Sequence, residues 1–219
     1  MSPRIVICDL DGTLITVSSE LEFVLGLFRR NVLSRAVVIR FLYHYLRHPI
    51  RTMQEGRGWN RGYFSGLPLD VLHDEVKDCT PHLLNKVRPG VLRILNQHKE
   101  EGAEIFILSA SLSPLVQAVA EGLGFTSFRG SIPVVKGGKC TGHLIGQRPY
   151  GKAKIAPAVA IMDQLGIDPS EALALGDSWG DRYILDLCGA AIAVHPVRKL
   201  RKLAVQKDWL ILEGHQWHK

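Results

Sequence analysis

The sequence has few cysteines, and no pattern joins them. The four cysteines are scattered along 219 residues without the spacing of a disulfide framework or of a metal-binding cluster. Isolated cysteines of this kind are typical of small, reduced core residues in a cytosolic protein. They are Cys8, Cys79, Cys140 and Cys188.

Long apolar runs are also missing. The chain passes from Met1-Ser2-Pro3-Arg4 directly into a short strand pattern, and it contains no apolar segment long enough for a secretion signal or a membrane-spanning helix. We therefore predict a cytoplasmic protein. With 219 residues, 46% of them apolar, the chain can bury a substantial core and has room for one main domain and an insertion.

Acidic residues are nearly absent from one long stretch. Residues 29–61 contain eight arginines and one acid, Glu55. This charge fits a solvated helical face, or attraction to an anionic substrate or an anionic membrane surface, which the mixed apolar and basic run at 37–48 favours. We find no recognisable nucleic-acid module, so no nucleic-acid partner is expected. The arginines are Arg29, Arg30, Arg35, Arg40, Arg47, Arg51, Arg57 and Arg61.

What the sequence does contain is a series of short apolar runs that alternate with helical patterns, as a parallel sheet requires. The strand patterns are Ile5 to Asp9, Ala103 to Ser109, Ala172 to Asp177, Ala190 to Val194 and Trp209 to Leu212. The helical patterns are Ser113 to Leu123, Ala153 to Leu165 and Tyr183 to Cys188. The order predicts an α/β fold with a Rossmann-like three-layer parallel sheet.

Two segments depart from this alternation. From Ile132 to Ile145, alternating runs flank Gly137-Gly138, which predicts a small β-hairpin. From residue 17 to residue 86 the strand pattern gives way to helical periodicity, with apolar stripes at Leu21 to Phe28 and Val32 to Leu46 and a further helix around Leu69 to Val87. We predict a core of residues 1–16 and 87–219 and a helical insertion of residues 17–86.

Carboxylates follow two of the predicted strands. Asp9 and Asp11 stand where the first strand ends, and Asp177 ends another strand, with Asp181 four residues later. Ligands of open parallel sheets bind at the carboxyl ends of the strands, where a divalent cation would keep neighbouring carboxylates ionised. The pattern predicts a metal site, although Asp9 to Gly12 alone fits a simple turn and Asp181 alone fits a surface acid.

A third strand pattern ends in hydroxyl groups. Ser109 and Ser111 close the run that begins at Ile105, just before a helix predicted to begin near Pro114. Hydroxyls and free amides before a helix suit an anion. Taken alone, Ser109 also fits a simple cap of the following helix.

These motifs, in this order along nearly the whole chain, resemble those of the haloacid dehalogenase-like phosphatase superfamily. The first motif is similar to Asp9 to Thr13, the second to Leu108 to Ser111, and the fourth to Gly176 to Asp181. Each motif is weak alone, but the set is specific. For the third motif we choose Lys154, because its distance to Asp177 resembles that in the phosphoserine phosphatase branch.

The resemblance implies a fold and a place for the site. Lys152 remains the alternative third-motif lysine, since a one-turn difference in loop length is open at this point. Members of this superfamily carry a helical cap directly after the first motif, so we call residues 17–86 the cap. The active site is then expected between the cap and the sheet, where closure excludes water.

The resemblance also implies a mechanism. Asp9 attacks a phosphate monoester and becomes an aspartyl-phosphate, while Mg²⁺ is held by Asp9, Asp177 and the backbone carbonyl of Asp11. Asp11 protonates the leaving group and then deprotonates the water that hydrolyses the intermediate. The phosphate-binding groups are Ser109, the amide of Ala110 and Lys154. Asp181 orients the metal shell or Lys154.

The substrate is less constrained than the chemistry. Phosphoserine phosphatases resemble one another in carrying an acid for the substrate ammonium nine residues after the nucleophile, where this chain has Ser18; Glu20 stands two residues further on. Phosphoserine is therefore in doubt, and we predict a small phosphorylated metabolite or a phospholipid head group. A phosphotransferase with the same intermediate and a noncatalytic phosphate-binding module are the alternatives. The oligomeric state stays open.

Overall fold

The computed structural model describes residues 2–33, 39, 62–213 and 216–218. Within these ranges eight strands form one sheet, in the order β4-β3-β2-β1-β5-β6-β7-β8. The outer pairs β3 with β4 and β7 with β8 are antiparallel, and the other neighbours are parallel. The strands are β1 (Ile5–Cys8), β2 (Glu104–Leu112), β3 (Ser127–Lys136), β4 (Lys139–Ile145), β5 (Ala172–Gly176), β6 (Ala190–Val194), β7 (Leu210–Glu213) and β8 (Gln216–His218).

Helices connect the parallel strands and form the described part of the cap. They are α1 (Ser19–Arg29), α2 (Leu69–Leu84), α3 (Pro89–Glu100), α4 (Ser113–Gly122), α5 (Ile155–Leu165), α6 (Arg182–Leu187) and α7 (Arg198–Gln206). Gly166, with a φ of 62°, ends α5 in the left-handed conformation that glycine adopts at low cost.

The central strand β1 separates two apolar clusters. Val6 and Cys8 pack in a cluster with side chains of α3 and α4, whereas Ile5 and Ile7 pack with side chains of α5, α6 and α7. Alternate residues of a strand point to opposite faces, so a strand buried on both sides is apolar throughout. The predicted three-layer α/β fold is confirmed.

The hairpin prediction also agrees with the structure, although β3 is longer than the alternation indicates. β3 begins at Ser127, pairs with β2 in parallel and then pairs with β4 around Gly137-Gly138. Gly130 lies in the first half of this strand, and a Cβ there would lie 2.7 Å from the Cα of Ser113. The close approach of two backbones explains why a glycine stands at this position of the strand.

The two chain segments that connect the core to the cap, residues 14–16 and 86–88, lie side by side. Ile15 bridges Val87 in antiparallel fashion, the amide of Thr16 donates to the carbonyl of Lys86 at 2.9 Å, and that of Arg88 donates to Leu14 at 2.8 Å. The predicted boundaries at residues 16 and 87 stay a prediction. Most of the predicted apolar stretch Val32 to Leu46 lies outside the described residues.

The apolar face of α1 is narrower than its sequence indicates. Phe23, Val24 and Leu27 are buried, but Leu21 is 40% exposed and Phe28 is 36% exposed. The helix therefore packs on the core cluster through one stripe, at the edge of which Leu21 and Phe28 remain partly exposed. In the described parts of the chain, no helix is both long and apolar enough to cross a lipid bilayer.

This packing predicts unequal effects of two identical substitutions in α1. Leu27→Ala removes a side chain with no exposed surface and should lower the free energy of unfolding by about 2–5 kcal/mol. Leu21→Ala, on the exposed side of the same helix, should change it by about 0.5 kcal/mol or less. Urea unfolding of both variants measures the difference, and equal losses would show that α1 faces the core differently.

Candidate active site

Three strands bring the predicted site together at one edge of the sheet. β1 lies between β2 and β5, and the amide of Asp9 donates to the carbonyl of Leu175 at 3.0 Å, which ties the end of β1 to the end of β5. Asp9 follows β1, Asp177 follows β5, and Ser109 lies in the last half of β2. The carboxyl ends of neighbouring parallel strands form the usual ligand crevice of an open α/β sheet.

Lys154 is the centre of the charged contacts in this crevice. Its ammonium nitrogen donates to Oδ1 of Asp9 at 2.6 Å and to Oδ1 of Asp181 at 2.6 Å. Lys154 is 3% exposed, at the end of a 3₁₀ turn that leads into α5, whereas Lys152 is exposed. The structure therefore places the chosen lysine, and not the alternative, beside the predicted nucleophile.

Three carboxylates could hold a cation here. Asp9, Asp177 and Asp181 each offer an oxygen atom, and these atoms all lie within 4.8 Å of one another. Carboxylate oxygens are the hard donors that Mg²⁺ prefers, so the residues fit this ion. Thr13 is fully buried beside them, and its hydroxyl donates to Asp177 at 3.0 Å and to Asp9 at 3.4 Å.

The backbone next to the cluster has no room for a side chain. Gly12 has a φ of 83°, and a Cβ on it would lie 2.4 Å from Oδ2 of Asp177. A glycine is required here for two reasons, because the conformation is left-handed and because the carboxylate of Asp177 occupies the space. The glycine in the first motif thus lets the loop after β1 pass directly against the acid after β5.

Burial and neighbouring acids raise the pKa values of the carboxyl groups in this cluster, whereas the charge of Lys154 lowers them. Burial, followed by the charge of Asp181, raises the pKa of Asp177 to about 6. Burial also raises the pKa of Asp9 well above its ordinary value, against the opposing charge of Lys154. Burial alone would raise the pKa of Asp181, but Lys154 outweighs it and holds that pKa below its usual range. The acidic neighbours Asp181 and Asp9 raise the pKa of Lys154 despite its burial, so this lysine carries a charge.

Asp181 is a buried partner of Lys154 and not a surface acid. It is 2% exposed, and its second oxygen accepts hydrogen bonds from the hydroxyl of Ser178 at 2.6 Å and from the amide of Ser178 at 3.0 Å. These contacts agree with the predicted orienting function. One of its oxygens also belongs to the group that could hold a cation, although Asp181 is not among the predicted metal ligands.

The side chain of Asp11 points away from this group. Its Oδ1 accepts a hydrogen bond from the amide of Ser19 at 2.8 Å, and its Oδ2 accepts one from the hydroxyl of Ser111. Among the described residues, the acidic group does not include the Asp11 carboxylate, and the predicted metal ligand at this position is the backbone carbonyl. Burial raises the pKa of Asp11, while the hydrogen bonds from Ser111 and Ser19 lower it.

Ser109 does not cap the following helix. β2 continues three residues beyond the predicted end, through Leu112, so Ser109 lies within the strand and α4 begins only at Ser113. Ser109 is 1% exposed, and its hydroxyl oxygen accepts from the amide of Ser111 at 3.2 Å. The cap interpretation of Ser109 is therefore wrong, while its predicted contact with phosphate stays a prediction.

The neighbouring residue Ala110 is held through its carbonyl. This oxygen accepts a hydrogen bond from the hydroxyl of Ser131 at 2.8 Å and another from Nε of Arg148 at 3.1 Å. Both contacts fix the peptide group between Ala110 and Ser111, directly after the Ala110 amide. They support a rigid backbone at the place where the Ala110 amide is predicted to bind phosphate.

The two predicted specificity residues have distinct contacts. Ser18 is the N-cap of α1, and its hydroxyl oxygen accepts from the amide of Leu21. Glu20 lies in the first turn of α1 and accepts a hydrogen bond from the hydroxyl of Tyr63, a buried residue of the cap. Of the eight arginines of the basic stretch, the described residues include Arg29 and Arg30, so the predicted membrane contact stays a prediction.

Several side chains that hold the site have functions that the sequence pattern does not indicate. Ser178 and Ser111 were visible within motifs, but nothing in the pattern indicated that each would bind a specific carboxylate. No sequence motif includes Ser19 or Arg148. Ser19 reaches the site from the cap helix, and Arg148 reaches it from the chain after the hairpin. Such contacts depend on tertiary packing and not on spacing in the sequence.

With this geometry in view, comparison with known proteins gives the family. The chain belongs to the haloacid dehalogenase-like hydrolases, whose family model matches residues 6–186. It is similar to a phosphoserine phosphatase of Mycobacterium tuberculosis, with 26% identity over 212 residues that cover 93% of this chain and 68% of the relative. The predicted family and hydrolase class are confirmed.

Solved structures show the same fold. A protein of unknown function from Bordetella pertussis Tohama I superposes with a TM-score of 0.84 at 18% identity, over 97% of this chain and 99% of that one. A phosphoserine phosphatase solved as a phospho-aspartyl intermediate analogue superposes with a TM-score of 0.69 at 19% identity, over 98% and 95% of the two chains. At such identities the likeness establishes the fold.

The raised pKa of Asp177 predicts how this site affects stability. A carboxyl group whose pKa is higher in the folded protein stabilises the fold while protonated, and this contribution is lost as the pH rises from about 4 to about 6. Without divalent cations, Asp177→Asn should therefore raise the free energy of unfolding at pH 7.5 by on the order of 1 kcal/mol. Below about pH 4 the gain should disappear, as denaturant unfolding at several pH values can show.

Mg²⁺ should make the unsubstituted protein more stable than Asp177→Asn. At a hundredfold excess over its Kd, the ion should stabilise the unsubstituted protein by about 2.7 kcal/mol and Asp177→Asn by much less. Asp163→Asn, at an exposed position of α5, is the matched control and should respond to Mg²⁺ like the unsubstituted protein. Equal stabilisation of all three proteins by Mg²⁺ would exclude Asp177 from a cation site.

Proposed function

We propose that this protein is a Mg²⁺-dependent phosphomonoester hydrolase that forms an aspartyl-phosphate on Asp9. The observation that carries the proposal is the buried Lys154 ammonium between Asp9 and Asp181, with Asp177 beside them at the carboxyl edge of the sheet. Structural ion pairs are seldom buried together with a further carboxylate, since such charges are costly without a function or a cation. A phosphate ester needs this concentration of fixed charge.

Asp9 is the proposed nucleophile. Its backbone is fixed by β5, and Oδ1 is held by Lys154 at 2.6 Å, so the carboxylate has a defined orientation. A phosphate dianion repels a carboxylate. Asp9, Asp177 and the backbone carbonyl of Asp11 would hold Mg²⁺ here, and the ion would supply the positive charge that offsets this repulsion. Attack by the Asp9 carboxylate on phosphorus forms the aspartyl-phosphate and breaks the bond to the leaving oxygen.

Asp11 is the proposed general acid and base. In the first half-reaction its protonated carboxyl group gives a proton to the leaving oxygen, and in the second its carboxylate takes a proton from the attacking water. Its separation from the acidic cluster suits this function, because the proton donor must face the leaving group while Asp9 faces phosphorus. Ser109, the Ala110 amide and Lys154 are proposed to bind the nonbridging phosphate oxygens, where negative charge spreads in the transition state.

The proposed substrate class is a small phosphorylated metabolite or a phospholipid head group. Ser18 is uncharged, so this position offers no negative charge to a substrate ammonium. Its hydroxyl oxygen accepts a hydrogen bond at the N-terminus of α1. Glu20, two residues further on, is an acid in the first turn of α1, and its carboxylate accepts a hydrogen bond from the hydroxyl of Tyr63. These contacts support a specificity that differs from that of the phosphoserine phosphatases with which the chain shares its fold.

Removal of the nucleophile should stop the reaction. With p-nitrophenyl phosphate and Mg²⁺, Asp9→Asn should lower kcat by about 10³-fold or more, because no carboxylate is left to accept the phosphoryl group. Asp163→Asn should retain full activity, since its side chain is exposed on α5. Release of p-nitrophenol measures all three proteins, and equal Mg²⁺-dependent rates for Asp9→Asn and the unsubstituted protein would exclude the proposed mechanism.

The specificity proposal predicts a ranking of substrates. Phosphoserine should be hydrolysed with a kcat/KM about tenfold or more below that of the best ester in a panel of phosphorylated metabolites and lipid head groups, because a buried ammonium without a charged partner is costly. Phosphate release across the panel gives the ranking. Suppose instead that phosphoserine is the best substrate, and that Glu20→Gln lowers its kcat/KM selectively while Glu22→Gln does not. That result would show that Glu20 binds the ammonium.

A further inference from the structure

Two buried serines outside the proposed catalytic set surround the carboxyl group of Asp11. Ser111 is 1% exposed, and Ser19 has no exposed surface. The hydroxyl of Ser111 donates to Oδ2 of Asp11, and the hydroxyl of Ser19 donates to the oxygen of Ser111 at 2.9 Å. The amide of Ser19 donates to Oδ1 of Asp11 at 2.8 Å, so each carboxyl oxygen has its own donor.

The two serines come from different layers of the protein. Ser111 lies near the end of β2, two residues after Ser109, whereas Ser19 is the first residue of the cap helix α1. Asp11 lies between them on the loop after β1. A continuous hydrogen-bonded chain therefore joins the sheet and the cap through the side chain of Asp11.

This chain constrains the orientation of the carboxyl group. Rotation about the Cα–Cβ bond would break the hydrogen bonds to both oxygens of this partly buried carboxyl group together. A general acid must lie within hydrogen-bond reach of the oxygen that it protonates, so its orientation directly affects the rate. The serines thus act on the reaction through Asp11, without touching the substrate.

We propose that Ser111 and Ser19 are positioning residues that hold Asp11 in the orientation for proton transfer to the leaving group, and that Ser19 couples this orientation to the placement of the cap helix. The inference rests on the proposed function, since it assigns the positioning of the proposed general acid. Displacement of α1 would remove the amide donor from Oδ1 and the hydroxyl donor from Ser111 together.

The dependence on the leaving group tests this proposal. An alkyl phosphate has a poor leaving group that needs a proton, whereas p-nitrophenolate leaves with little protonation. In Ser111→Ala the rate of leaving-group release in the first turnover should fall about 10- to 100-fold for ethyl phosphate. For p-nitrophenyl phosphate the fold-loss in that rate should be several times smaller. Ser111→Thr, which keeps a hydroxyl group, should recover most of the lost rate, and Ser19→Ala should show the same selectivity with a smaller loss.

Two controls separate positioning from a general effect on folding. Ser127→Ala removes another hydrogen bond from a serine hydroxyl to a carboxylate, that of Glu104 at the opposite end of β2, and should leave both rates unchanged. In an Asp11→Asn background, Ser111→Ala should cause no further selective loss, because its effect passes through Asp11.

The outcomes distinguish the inference from the proposed function. Equal losses for the two esters in Ser111→Ala, or the same loss with and without the Asp11 carboxyl group, would overturn the inference while the hydrolase remains. Failure of the unsubstituted protein to hydrolyse either ester would instead contradict the proposed function. If Ser111→Ala does not fold, the ratio of the two rates in Ser19→Ala decides, and an unchanged ratio overturns the proposal.

Discussion

The structure depends on the convergence of like charges at one edge of a sheet. Asp9, Asp177 and Asp181 approach one another closely enough to share an ion, and the ammonium of Lys154 lies directly against two of them. The close approach of three acids, of which Asp9 and Asp181 are buried, would be unfavourable without opposite charge, and Lys154 supplies part of that charge. The excess of negative charge over the single ammonium group lowers stability, but it makes this edge of the sheet suitable for a divalent cation and, with that cation, a phosphate ester.

The fold meets this constraint through close backbone contacts. Gly12 brings the loop after β1 against the carboxylate of Asp177, and Gly176 at the end of β5 leaves room for Asp181, whose Cβ would lie 2.5 Å from a Cβ at that glycine. A short 3₁₀ turn carries Lys154 to the same place. Each acid is therefore positioned by backbone geometry, and its side chain needs little freedom to reach the cluster.

The sequence was sufficient to predict the central strands β1 and β5, because both are buried on both faces and therefore apolar throughout. It also predicted the meeting of Asp9 and Asp177, which follows from the order of parallel strands. It did not predict the full length of β2, since the polar residues Ser109 and Ser111 interrupt the apolar run and are stabilised by contacts with the site. The exposure of Leu21 likewise depends on how α1 lies on the core, which periodicity alone does not determine.

The most direct test of the account is to locate the phosphoryl group on the protein. Asp11→Asn, incubated with Mg²⁺ and p-nitrophenyl phosphate and quenched in acid, should retain the intermediate, because p-nitrophenolate leaves with little protonation whereas deprotonation of the attacking water is slowed. After digestion with trypsin, mass spectrometry should find the phosphoryl group on the peptide from Ile5 to Arg29, at Asp9. A phosphoryl group on any other peptide, or turnover that never labels this one, would contradict the assignment of Asp9 as the nucleophile.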